Sequence, residues 1–162
     1  TNATKFKTYG LDKTFNLFST GSDTALATSM LTAYEKGQPW VGYYWEPTWV
    51  MGLLDMTMLE EPEYNAEVYN DPNNIGCAFP AAQVLKGVHS SLKDRAPEVV
   101  ELVSKYQTTL AENNDFLGYM QENDTEADEA AIYFLKKYPE RWKSWVTEEA
   151  AQKVEQALKE VK

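Results

Sequence analysis

The sequence predicts an α/β fold with a helical carboxyl-terminal tail. Two observations carry that expectation. In the first third of the chain, β-favouring segments flank a helical period, and one of them, "PWVGYYW", is apolar on both faces, as a strand buried between helices is. From Ser91 onward every segment repeats with helical period instead. A chain of 162 residues that is 43% hydrophobic and 13% aromatic has enough material for one ordinary domain with its own core.

The elements follow in order. After a short polar start, residues 15–18 read as a strand running into a turn. Ser22 or Asp23 then offers an N-cap for an amphipathic helix of about four turns. Leu26, Met30 and Tyr34, with Ala27 and Leu31 beside them, make its apolar stripe, and Gly37 closes it. Residues 39–45 read as a strand that Pro47 ends, because proline donates no ladder hydrogen bond. In an open α/β sheet, the aromatic end of that strand lies at the carboxyl edge, where ligands bind. Thr48 can cap a short helix, residues 56–62 read as a further strand, and residues 63–76 form a turn-rich loop. Residues 83–89 read as an extended, partly buried strand. The helices of the tail break at Pro97, Thr108-Thr109, Thr125, Pro139 and Thr147. Their stripes (Val99, Val103 and Tyr106; Ala131, Phe134, Leu135 and Tyr138; Ala151, Val154, Leu158 and Val161) read as core faces. This divides the chain into an α/β piece, residues 1–51, and a second piece, residues 52–162, with two strands and then helices. Too few strands are present for a sheet of average size, unless the domain is a small α+β one.

Charge and composition narrow the function. Twenty-five acids against fifteen Lys and Arg give a net charge of −10, which repels nucleic acid and anionic membrane surfaces and leaves a cation as the easier ligand. No apolar run approaches the length of a membrane span, and any export signal would lie upstream of Thr1. Cys77 has no internal disulfide partner, so it is a free thiol or pairs outside this chain. His89 is the one histidine, so a His-based triad or multi-His metal site is not available, and a satisfied structural role is expected. "GSDTALATS" lacks the lysine and spacing of a phosphate loop. The acid run "ENDTEADEA" misses calcium-loop spacing, and its Glu126, Asp128 and Glu129 suit a helix amino terminus. No catalytic residue, metal or cofactor is expected. A carbohydrate-active hydrolase or a sugar-binding module, using Glu46 and the aromatics as a sugar platform, is the alternative, but no second carboxylate can be set opposite Glu46 for hydrolysis.

The aromatic string "VGYYWEPTWV" remains. A tryptophan at the end of a strand, next to Tyr43, Tyr44 and Pro47, can present its ring face to a cation. A quaternary ammonium has no N–H to donate and no proton to lose, so it needs such a surface most. The competing reading packs Trp40, Trp45 and Trp49 into the core.

The strings "AYEKGQPWVGYYWEPTWV", "LEEPEYN", "GCAFPAAQV" and "AAIYFLKKYPERWKSWV", in this order along nearly the whole chain, resemble the substrate-binding proteins of glycine betaine, proline betaine and choline ABC importers. The resemblance implies a type II periplasmic-binding-protein-like fold of two α/β lobes and a non-catalytic solute-binding role. It also implies that this chain is a carboxyl-terminal portion, which lacks a glycine-rich W-G-C stretch and its further cage tryptophan. On that reading residues 1–51 are the remainder of one lobe, carrying the aromatic edge, and residues 52–162 the returning half of the other. Trp45 becomes a wall of an aromatic cage, with Tyr43, Tyr44, Pro47 and Thr48 around it. The implied partners are a quaternary ammonium solute and an ABC permease with its ATPase. The implied setting is extracytoplasmic, and self-association is expected where truncation leaves apolar surface open.

Overall fold

A computed structural model of the chain describes residues 1–161. In chain order its helices are α1 Asn2–Thr8, α2 Asp23–Glu35, α3 Trp49–Leu53, α4 Ala66–Tyr69, α5 Leu92–Arg95, α6 Pro97–Lys105, α7 Leu110–Asn123, α8 Ala127–Lys137, α9 Pro139–Lys143 and α10 Glu148–Glu160. A 3₁₀ turn, Leu11–Lys13, follows α1. No strand occurs among the described residues, which overturns the α/β expectation and with it the sheet-built lobes: the architecture is helical. Segments 15–18, 39–45, 56–62 and 83–89, expected as strands, are irregular. β-favouring residues suit a pleated surface only when a neighbouring strand completes the ladder, and among the described residues none does. Residues 83–89, expected to be partly buried, are exposed throughout, Val84 by 94%.

The chain forms two compact units. The first comprises Thr1–Tyr44 and Leu54–Gln83, the second Trp45–Leu53 and the chain from Val84 onward. In the first unit, Ser22 caps α2 by accepting a hydrogen bond from the Ala25 N–H at 3.1 Å, and Gly37 follows the helix in the left-handed region at φ +62°. The face that α2 buries carries Ala27, Met30 and Ala33, while Tyr34 is 49% exposed. The stripe is thus turned from the expected one, because small alanines let a helix pack closely where a tyrosine keeps its hydroxyl in water. The Trp40 indole N–H donates to Ser29 Oγ on this helix at 3.1 Å. Cys77 is a buried free thiol whose Sγ donates to the Asn65 carbonyl oxygen across 3.6 Å.

In the second unit the helix breaks fall where the sequence places them. Pro97 and Pro139 open α6 and α9, Thr147 caps α10, and Thr109 forms a reciprocal capping box with Glu112 at the start of α7. Phe134, Trp142, Trp145 and Ala151 make the core, with Leu102, Leu135, Tyr138, Val154 and Leu158 packed on it. The α6 stripe is turned relative to expectation, for Leu102 packs inward while Val99 and Tyr106 are exposed by 39% and 45%. Helix α3 lies against α7 through Gly52 and Gly118. A Cβ at Gly52 would stand 2.1 Å from the Asn114 carbonyl oxygen, and one at Gly118 would stand 3.2 Å from the Gly52 carbonyl carbon. Helix α7 is tied to α8 and its C-cap through Asp115, whose carboxylate accepts from Lys137 Nζ at 2.6 Å, Tyr138 Oη at 2.9 Å and Tyr133 Oη at 3.2 Å. Burial works to raise the Asp115 carboxyl, but these donors outweigh it and hold it below its ordinary value. Burial and the same carboxylate push the Tyr138 hydroxyl up to about 12.

Two outcomes test this packing. Gly52→Ala should lower stability by about 1–3 kcal/mol, read as a lower urea midpoint with an unchanged slope. Asp115 is depressed in the fold, so its contribution is present above the unfolded-chain value of about 3.9 and is lost as pH falls through the folded value. Asp115→Asn should therefore cost about 1–3 kcal/mol at pH 7 and soften the acid loss of stability, measured by urea midpoints near pH 7 and pH 3.

Candidate functional site

The turn from Trp45 to Thr48 belongs to the second unit and leads into α3. Trp45 is 39% exposed, Glu46 and Pro47 are exposed, and Thr48 is buried. The Glu46–Pro47 peptide is cis. Thr48 starts the helix as expected, its hydroxyl accepting from the Met51 N–H at 3.4 Å. Its own N–H donates to Asn114 Oδ1 at 2.9 Å, and Asn114 Nδ2 donates to Glu46 Oε1 at 2.7 Å. One buried carboxamide thus uses both of its ends to hold the turn that carries Trp45. The turn carries a partly exposed tryptophan next in sequence to a carboxylate, residue types that attract an organic cation. Trp40 and Trp49 are half-buried, so neither matches the expectation of a fully packed core ring.

Tyr43 and Tyr44 belong to the first unit. Tyr44 is half-buried, and the Tyr43 ring lies 4.9 Å from Phe79 at 44°. Tyr69 meets Phe79 edge-on at 6.0 Å, and Tyr64 meets Tyr69 at 5.6 Å. The Lys5 ammonium sits 4.0 Å above the Phe79 ring centre and 2.6 Å from Glu61 Oε2. The Tyr9 hydroxyl donates to the same oxygen at 2.7 Å, and desolvation, followed by the Glu61 contact, pushes that hydroxyl up to about 12. This cluster was missed in the sequence. Phe79 and Glu61 stand inside the quoted strings "GCAFPAAQV" and "LEEPEYN", but nothing local joins them to Lys5, far away in the chain.

His89 is exposed, its Nδ1 2.8 Å from Ser91 Oγ. Among the described residues, no three His, Cys, Asp or Glu side chains gather so as to hold a metal ion. Nor is any helix long and apolar enough to cross a membrane. A shallow groove of about 430 Å³ in the second unit is lined by Glu112, Lys137, Tyr138, Arg141 and Ser144; Glu112 and Arg141 pair with each other, and Lys137 and Tyr138 both bond to Asp115.

The model of a family described as the substrate binding domain of ABC-type glycine betaine transport systems matches residues 1–137. The chain belongs to that family, which bears out the resemblance read from its strings. Among curated proteins it is similar to the glycine betaine/carnitine transport binding protein GbuC of Listeria monocytogenes serotype 1/2a (strain 10403S), with 24% identity over 140 residues. The match covers 86% of this chain and 42% of that relative, so the chain spans less than half of the relative's length. Neither comparison supports the hydrolase alternative.

Asn114→Ala should free the turn. The expected result is a loss of about 1–3 kcal/mol and exchange of the Thr48 amide hydrogen faster by on the order of tenfold, read by NMR.

Proposed function

We propose that this chain is a non-catalytic module that binds a quaternary ammonium solute of the glycine betaine type for uptake by an ABC transporter. The observation that carries the reading is the exposed Trp45 ring on a turn fixed by Asn114, in a chain that belongs to a glycine betaine transport family. A cation without N–H groups is recognised by ring faces and by opposite charge, each ring contributing about 1–2 kcal/mol once water is excluded. In this reading Trp45 is a cage wall, Pro47 and Thr48 shape its turn, and Tyr43 and Tyr44, which precede it in the sequence, are the further aromatic contacts. An ABC permease and its ATPase are the partners, and the setting is extracytoplasmic. Self-association belongs to the same reading and is supported by the 82% exposure of Phe18 and the 94% exposure of Val84.

Calorimetric titration with glycine betaine and with choline tests the reading. Saturable heat is expected from the chain as it stands, weakened by about tenfold or more in Trp45→Ala. Equal affinity in the two proteins removes Trp45 from the site.

A further inference from the structure

The Lys5 side chain is only 8% exposed, and its ammonium touches two things, the face of Phe79 at 4.0 Å and Glu61 Oε2 at 2.6 Å. Beyond its contact with Glu61, the buried ammonium has no hydrogen-bond partner among the described residues. It is held by opposite charge and by a ring face. Those are the two interactions available to a quaternary ammonium. The rest of the surround is built for such a cation. Tyr43 leans on Phe79 at 4.9 Å, Tyr69 closes its edge at 6.0 Å, and Tyr9 fixes the Glu61 carboxylate with a bond of 2.7 Å.

We propose that Lys5 is a tethered cation occupying a quaternary ammonium site of the first unit, formed by Phe79, Tyr43 and Glu61, and that a free quaternary ammonium competes with it there. The proposal rests on the reading that the solute of this chain is a quaternary ammonium. The exchange conserves charge, since Glu61 faces one positive charge before and after it. It also favours the free ligand chemically. A buried ammonium with unpaired N–H groups carries a desolvation penalty that a tetraalkylammonium does not, and a released Lys5 regains water. Against this stands the tether, which presents the lysine at an effective concentration on the order of millimolar. Lys5 therefore lowers the apparent affinity by the fraction of time that it vacates the site, and so sets a concentration threshold for filling it.

The test uses the full chain with carbon-13-labelled lysine and tetramethylammonium chloride as the probe, with sodium chloride at equal ionic strength as the control. The Lys5 Cε resonance, shifted by the Phe79 ring, should move saturably to the position of a solvated lysine with tetramethylammonium and stay in place with sodium. A resonance unmoved by both salts, or moved equally by both, overturns the proposal. Lys5→Met keeps the stem and removes the charge, and it should bind tetramethylammonium about tenfold more tightly than the unaltered chain. Adding Phe79→Leu should abolish that gain. Equal affinity in Lys5→Met and the unaltered chain also overturns it, and if the variant does not fold, the resonance titration decides. Failure here is separable from failure of the Trp45 assignment. Trp45-dependent glycine betaine heat with Lys5 unmoved removes the tethered cation alone, whereas Lys5 displacement with no Trp45 dependence removes Trp45 alone.

Discussion

Where α3 meets α7, neither Gly52 nor Gly118 has a side chain, and the two backbones fill the space that side chains would take. Asn114 lies one helical turn before Gly118 and so shares its face of α7. The close approach brings its carboxamide within reach of both the Thr48 N–H and the Glu46 carboxylate. Thr48 in turn caps α3. The hold of Asn114 on the turn that carries Trp45 therefore depends on two missing Cβ atoms. Trp45 is thus presented by a contact between helices, and not by the edge of a sheet.

Helix α7 also carries the polar structure of the second unit. Glu112 closes the capping box at its start and pairs with Arg141 at 2.7 Å, while Asp115 gathers Tyr133, Lys137 and Tyr138. Burial works against the charge of Glu112, but its bonds to Thr109 and Arg141 prevail and keep the carboxyl depressed. Part of the acidic excess of the chain is therefore structural, spent inside one unit on fixing helices. The acids that do face solvent supply a field that favours cations.

What could be read in the sequence follows from the range of each interaction. Ser22, Thr48, Pro97, Thr109, Pro139 and Thr147 mark helix starts because capping is a matter of three or four neighbouring residues. Strands depend on a distant partner, so the β-favouring runs "FNLF" and "MTML" promised a ladder that the chain does not form. Helix α1 escaped notice because its lysines and threonines carry no apolar period. The same distinction separates the site residues. Trp45, Pro47 and Thr48 announce a turn by their own chemistry. Asn114, which holds it, is 66 residues from Thr48 in the chain. Lys5 likewise reads as one more surface charge until the fold sets it over Phe79.

Cys77 is the one cysteine of the chain and only 1% exposed. A thiol reagent can reach its sulfur only when the first unit opens around it. In the regime where closing outpaces modification, the rate of labelling gives the free energy of that opening. Because the second unit contains no cysteine, the signal reports on the first unit alone. A single buried sulfur thus makes the chain its own gauge of local unfolding, free of any engineered label.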